Sequence, residues 1–155
     1  MLLDDKQAMI NDLLIAYRES NDHYRDAAEQ LDGGTPAERE LGELLASIRD
    51  SREGTIERLS ELVRESGDLP REPDADKEEA LQLFTRLKAA LGGERRRIVL
   101  EERVTGEQRI AEQLEEALRL DFPADTLDWL RTLQERQSET LLRLNEALVS
   151  TRPEG

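Results

Sequence analysis

Two features of this chain of 155 residues predict an all-α fold built from a bundle of four long helices. Apolar residues recur at steps of three and four along most of the chain, and no segment keeps the strict alternation typical of a strand. Leucine, glutamate, arginine and alanine dominate the composition, as they do in long amphipathic helices. We expect one domain over residues 1–155, because this length forms one core and leaves no room for a second.

Breaks rich in glycine and proline divide the apolar stripes into four long helices and one short helix. The first break also carries a start signal, since Thr35 can cap a helix, Pro36 fits its first position and Glu38 completes a capping box. We expect long helices at about 5–31, 37–66, 94–120 and 124–150, and a short helix at about 76–91. The short helix should have one apolar face, formed by Ala80, Phe84, Leu87 and Leu91.

The lengths of the connections predict how these helices are arranged. Short connections join the first two long helices and the last two, so each pair should form an antiparallel hairpin. The connection between the second and third long helices is much longer and contains the short helix. It can carry the chain from one end of the bundle to the other, which is the crossover topology of ferritin-like four-helix bundles.

The bulk composition excludes several classes of partner and chemistry. A formal net charge of −14 repels phosphate backbones and anionic lipids, so neither nucleic acid nor a membrane is an expected partner. Cysteine is absent, which excludes disulfides, thiolate nucleophiles and zinc–sulfur sites. The N-terminus does not resemble a signal peptide and no segment is long and apolar enough to span a bilayer, so we expect a cytoplasmic protein.

Polar residues interrupt the apolar stripes near the middle of the long helices. Helices of similar length place such positions at about one level, with apolar layers above and below. We therefore expect a buried polar layer, composed of Asn21, Arg52, Thr55, Glu107, Gln134 and Gln137.

Ferritin-like proteins hold a dinuclear metal at this level, with a Glu from each of two helices and Glu-x-x-His from each of the other two. Here the corresponding pairs are Arg52-x-x-Thr55 and Gln134-x-x-Gln137, and Glu107 is the only carboxylate on the stripes. The only histidine, His23, lies off the core face and is predicted to be an ordinary surface residue. We therefore expect no metal and no other cofactor.

A buried carboxylate without a partner is costly, so Glu107 is predicted to pair with Arg52, the only cationic residue on a long-helix stripe. Alternatively, Arg52 extends to the surface and Glu107 faces a wet groove. Gly106 weakens its helix by about 1 kcal/mol relative to alanine, and is tolerated where another element comes close. Phe84 of the crossover helix is a candidate neighbour, and a chance surface glycine is the alternative.

Four segments together resemble a family of small bacterial ferritin-like proteins classed as a domain of unknown function. They are YRDAAEQL, SREGTIERLSELVRESGDLP, LFTRLKAAL and GEQRIAEQLEEAL, and the resemblance covers about residues 13–148. It implies a ferritin-like bundle with a crossover helix and no established activity. Arg52 and Glu107 match recurring positions of the family, and some ferritin-like stress proteins are thought to bind metal.

Three functional hypotheses follow. The first is a non-enzymatic bundle protein, associated with stress and acting through protein contacts or as a homodimer. The second is an iron- or manganese-binding protein or oxidase. The third is an enzyme that uses Glu107 as a base or Tyr17 and Tyr24 as acids, although no nucleophile, phosphate loop or cofactor motif accompanies them. A dimer face, or packing under the crossover helix, is expected for Val99, Leu120, Phe122 and Trp129.

Overall fold

A computed structural model of the protein describes residues 4–74, 77–91 and 93–152. Every regular element in these ranges is a helix. The helices are α1 (Asp5–Leu31), α2 (Pro36–Ser51), α3 (Glu53–Glu65), α4 (Lys77–Ala89), α5 (Glu94–Ala117) and α6 (Ala124–Val149). The expected start of the crossover helix, at residue 76, lies outside the described residues.

The second long helix, expected to be continuous over 37–66, is instead divided at Arg52 into α2 and α3. The Arg52 N–H bonds to the Arg49 carbonyl at 3.1 Å, which tightens the last turn of α2. The Ser51 hydroxyl bonds to the Ile48 carbonyl at 2.6 Å and so competes with the helical backbone pattern at the same point. The break therefore falls directly at the arginine that was predicted to enter the polar layer.

Two apolar clusters, one at each end of the molecule, show how the helices run. The lower cluster includes Ile10, Leu14, Leu59, Val63, Ile110, Leu114, Leu130 and Leu133. The upper cluster includes Tyr24, Leu31, Leu41, Leu45, Val99, Leu100 and Leu144. Residue order within them shows that α1 and α6 run from the lower to the upper cluster, whereas α2–α3 and α5 run from the upper to the lower.

The connection between α3 and α5 returns the chain from the lower end to the upper end, and α4 lies within it. Arg95 fixes the upper end of this connection, since it bonds to Glu38 Oε2 at 2.9 Å and to the Leu87 carbonyl at 2.6 Å. Leu87 is buried in the upper cluster, but Ala80, Phe84 and Leu91 are exposed. The expected apolar face of α4 is therefore buried only in part.

Other expected features can be compared directly with the structure. The capping box at the start of α2 is confirmed, because Thr35 and Glu38 bond reciprocally at 3.1 and 3.2 Å. Val99 and Phe122 are buried within the chain, and Leu120 and Trp129 pack on the lower cluster. Val99 and Phe122 therefore cannot contribute to a dimer face, whereas Leu120 and Trp129 are half-buried, and a dimer face at those two residues stays a prediction.

None of the helices in the described ranges is both long enough and apolar enough to cross a bilayer.

Candidate functional site

Arg52 and Glu107 form a forked ion pair between the two apolar clusters. Arg52 Nη1 donates to Glu107 Oε1 at 2.6 Å, and Nη2 donates to Oε2 at 2.5 Å. Glu107 is 0% exposed and Arg52 is 5% exposed. Arg52 reaches this position from the break between α2 and α3, and Glu107 from the middle of α5.

Three further side chains donate to the Glu107 carboxylate. The Tyr24 hydroxyl donates to Oε1 at 2.7 Å and the Ser20 hydroxyl to the same oxygen at 3.0 Å. Gln137 Nε2 donates to Oε2 and, at 3.0 Å, to the Glu107 backbone carbonyl. Side chains from α1 and α6 thus complete a shell around the pair.

Arg52 is held between two aromatic rings as well as by hydrogen bonds. Its guanidinium carbon lies 5.2 Å from the centre of the Tyr17 ring and 5.5 Å from that of Tyr24, within the range of cation–π attraction. Nη2 also donates to Gln137 Oε1 at 3.1 Å. The planar group is therefore fixed on its faces and at its edge.

The surroundings keep both members of the pair ionised. Burial by itself would raise the pKa of Glu107, but the hydrogen bonds and charge of Arg52 outweigh it and lower that pKa. Burial likewise opposes the charge of Arg52, and its bonds to Glu107 raise the pKa of the guanidinium overall. Burial raises the pKa of Tyr17 and Tyr24, so both hydroxyls remain protonated.

A second buried arginine, Arg103, extends the network toward the surface. It lies on α5, is 2% exposed, and its Nη1 donates to Ser20 Oγ at 3.1 Å. Ser20 Oγ also accepts from Arg52 Nη1 at 3.2 Å and donates to Glu107. The single Ser20 hydroxyl therefore uses its donor and both acceptor positions to join the two arginines to the carboxylate.

Gly106 leaves the space that Arg103 occupies. A Cβ atom at Gly106 would lie 3.1 Å from Arg103 Nη2, closer than side chains normally approach. The expectation that Phe84 fills this space is wrong, because the nearest atoms belong to Arg103. The glycine and the arginine are three residues apart and so share one face of α5.

At the outer end of the network lie His23 and Glu102. Arg103 donates from Nε to Glu102 Oε2 and from Nη2 to Oε1, each at 2.8 Å. His23 Nδ1 lies 3.1 Å from Glu102 Oε1 and 2.8 Å from Arg103 Nη2. The expectation that His23 is an ordinary surface residue is wrong, because its side chain is only 27% exposed and contacts both charged partners.

Three of the residues expected in the polar layer do not bond to the ion pair. The Asn21 side chain is half-buried and donates to the Arg49 carbonyl at 3.2 Å, because it points to α2. Thr55 is buried and Gln134 is half-buried, and no hydrogen bond joins either side chain to Arg52 or Glu107 among the described residues. Ser20, Tyr24 and Arg103 occupy the positions around the pair instead.

Two open grooves flank the outer end of the network. The polar groove, of about 550 Å³, is lined by residues that include Ser20, His23, Glu102, Arg103 and Gly106. The apolar groove, of about 620 Å³, lies between α1 and α4 and is lined by residues that include His23, Ala27, Phe84 and Leu87. Glu107 lines neither groove.

The donor set around Glu107 does not fit the dinuclear metal centre of a ferritin-like bundle. Such a centre needs several carboxylates and imidazoles, whereas both Glu107 oxygens here accept from a guanidinium. In the part of the chain that the structure describes, no three His, Asp or Glu side chains are grouped to hold a metal ion. A cation at this position would have to displace Arg52 from its bonds.

Comparison with family models gives one match, described as "Domain of unknown function (DUF2383)", over residues 5–120. This span covers α1 to α5 and contains Ser20, Arg52, Arg103 and Glu107, whereas α6 and Gln137 lie beyond it. The expected resemblance to a family of unknown function is confirmed, although the match ends earlier than the expected limit near Leu148. No curated protein and no solved structure matches the chain.

Proposed function

The chain belongs to the family described as "Domain of unknown function (DUF2383)", and because that description names no activity, we propose a function from the geometry of the site. The protein is a single-domain, ferritin-like four-helix bundle in which the Arg52–Glu107 pair replaces the dinuclear metal. It works as a non-enzymatic bundle protein and not as a metal-dependent oxidase.

The directions of the helices support the ferritin-like part of this proposal. If α2 and α3 are counted as one unit, four long units pass between the upper and lower clusters. The second unit, α2–α3, and the third, α5, run in the same direction. A parallel pair requires a long return, which the segment containing α4 provides. Ferritin-like folds are distinguished from simple meanders by one such crossover.

The main support for the proposed non-enzymatic role is that Arg52 fills hydrogen-bond acceptor positions on both oxygens of the Glu107 carboxylate. Both carboxylate oxygens accept from the guanidinium, and Tyr24, Ser20 and Gln137 use the remaining acceptor positions. A carboxylate so engaged has no free position for a metal or for a proton from a substrate. Glu107 is also fully buried, which argues against its use as a general base.

The physiological role that we propose is association with other proteins, including a second copy of the chain, in the bacterial cytoplasm under stress. The apolar groove supports the contact role, because Leu81, Leu83 and Phe84 line it together and form a contiguous apolar patch. The association with stress rests on the resemblance to ferritin-like stress proteins.

Metal analysis tests this proposal against the iron- or manganese-binding alternative. The protein is purified without chelators from cells supplied with both metals, and its metal content is measured by mass spectrometry. We expect well below one metal per chain, and the same content in Glu107→Gln. Stoichiometric iron or manganese that is lost in Glu107→Gln would overturn the proposal, because that loss would identify Glu107 as a ligand.

A further inference from the structure

His23 Nδ1 has two neighbours with opposite requirements. The Glu102 carboxylate, 3.1 Å away, can only accept a hydrogen bond, and the Arg103 guanidinium, 2.8 Å away, can only donate one. A proton on Nδ1 satisfies Glu102, whereas a lone pair on Nδ1 satisfies Arg103. One nitrogen cannot do both at once, so the protonation state of the ring decides which contact is made.

We propose that His23 is a pH-operated latch on the buried network. The neutral ring accepts a hydrogen bond from Arg103, whereas the protonated ring donates to Glu102 and leaves Nη2 of Arg103 without that acceptor.

The neutral state accounts for every N–H of Arg103. Nε donates to Glu102 Oε2, and Nη1 donates to the hydroxyl and, at 3.4 Å, to the carbonyl of Ser20. Nη2 donates to Glu102 Oε1 and to His23 Nδ1. Because Arg103 is 2% exposed, its N–H groups need acceptors from the protein, and the lone pair of His23 completes the set.

Protonation removes that acceptor and places two cations 2.8 Å apart. The arrangement must change, and His23 is the member with room to move. Its side chain is 27% exposed and lines both the polar and the apolar groove. Arg103 is confined, since it is bonded to Ser20 and Glu102 and packs against the Tyr24 ring at 4.9 Å.

The contacts of Ser20 and Tyr24 connect this latch to the interior. Ser20 Oγ accepts from Arg103 and Arg52 and donates to Glu107. The Tyr24 ring packs against both guanidinium groups, and its hydroxyl donates to Glu107. The loss of the His23 acceptor and the new positive charge beside Arg103 therefore alter the surroundings of Tyr24 directly.

Charged groups from three helices face His23 and set the pH at which it titrates. The hydrogen bond to Glu102 raises the pKa of His23 above its ordinary value of 6.5, and Glu19 on α1 acts in the same direction. Burial and the charge of Arg103 act in the opposite direction but are outweighed. Other charged residues share the two grooves with His23, namely Asp26, Glu29, Glu79, Arg86, Glu101 and Arg109.

Nuclear magnetic resonance can test the latch without ambiguity of assignment, because the chain has one histidine and two tyrosines. The ¹⁵N shifts of the imidazole are followed from about pH 8.5 down to about pH 5.5, across the usual range of histidine titration. At high pH we expect an unprotonated Nδ1 and a proton on Nε2. On acidification Nδ1 should gain a proton with a midpoint above pH 6.5.

The ring signals of Tyr24 should shift with the same midpoint. In His23→Gln this shift should vanish, because the Gln carbonyl can still accept from Arg103 but does not titrate. A proton on Nδ1 at high pH would overturn the proposal, since the neutral ring would then donate to Glu102. Titration of His23 without a matching shift of Tyr24 would also overturn it, and so would a Tyr24 shift that persists in folded His23→Gln.

Discussion

Arg52 and Glu107 meet as a two-pronged ion pair, with N–O distances of 2.6 and 2.5 Å, at a level where water is excluded. Arg52 extends from the break between α2 and α3, and Glu107 from the middle of α5, so the pair joins elements far apart in sequence. Each charge depends on the other, because a buried ion without its partner retains its full desolvation penalty.

Replacing Arg52 by alanine should strongly destabilise the protein. The change leaves the Glu107 carboxylate buried with only neutral donors and creates a cavity between Tyr17 and Tyr24. We expect a loss of about 3–5 kcal/mol in the free energy of unfolding, measured by denaturant titration at neutral pH. The matched control is Arg49→Ala, because Arg49 pairs with the exposed Asp50 and should change stability by under about 0.5 kcal/mol. Equal effects of the two substitutions would show that Arg52 is not paired inside the protein.

Neutralising both partners should restore part of the stability lost by neutralising one. Arg52→Gln leaves an unpaired carboxylate and Glu107→Gln leaves an unpaired guanidinium, but the double variant has no buried charge at the pair. A double-mutant cycle from unfolding curves should give a coupling of about 1–3 kcal/mol. Additive effects would contradict a direct interaction.

A methyl group at Gly106 should destabilise the protein even though alanine favours helices. The added Cβ would lie 3.1 Å from Nη2 of Arg103, whose hydrogen bonds and burial prevent it from moving away. Gly54 on α3 is the control, because a Cβ there has no neighbour within 4 Å. Thermal melts should show a lower melting temperature for Gly106→Ala, whereas Gly54→Ala should gain at most about 1 kcal/mol. A more stable Gly106→Ala would mean that Arg103 does not fill this space.

Acid should weaken the protein through Glu102. Burial opposes the ionised carboxylate, but the hydrogen bonds and charges of Arg103 and His23 lower the pKa of Glu102 to about 2 from the ordinary 4.5. Because the pKa is lower in the folded state, the ionised form stabilises the protein above pH 4.5. This stabilisation decreases as the pH falls toward 2 and amounts to about 3 kcal/mol at most.

The free energy of unfolding of Glu102→Gln, subtracted from that of the wild type, isolates this contribution from that of other carboxylates. We expect the difference to increase as His23 becomes protonated on acidification from high pH, because Glu102 raises the pKa of His23, and then to decrease below pH 4.5. A difference that does not vary with pH would exclude the contribution of Glu102.

The periodicity of apolar residues was sufficient to identify Arg52 and Glu107, because both interrupt leucine stripes. It could not identify Ser20 or Arg103, because they lie one residue before Asn21 and Val104 and so fall outside the apolar stripes. The missed signal was the pair Arg103 and Gly106, since a glycine three residues from an arginine leaves room for the guanidinium on the same helix face. Ideal stepping of apolar residues predicts Asn21 in the layer, because it ignores small rotations of a helix.

The ends of the helices depend on local chemistry that the sequence shows only in part. Thr35 and Glu38 could be recognised as a capping box, because its contacts lie within four residues. The break at Arg52 could not, because hydroxyl-to-carbonyl bonds like that of Ser51 also occur within unbroken helices, for example at Thr105 and Ser138. The exposure of Phe84 was similarly hidden, since periodicity shows that a helix has an apolar face but not how much of that face is covered.

The interior is layered, with a leucine-rich cluster on either side of the charged network. This order also fixes the axial register of the helices. Leucine layers tolerate sliding, because one leucine packs against another in several positions. A helix displaced by one turn, about 5.4 Å, would move Glu107 from Arg52 into an apolar cluster, where a lone charge is strongly disfavoured. The ion pair therefore selects one alignment of the helices among several that apolar packing alone would permit.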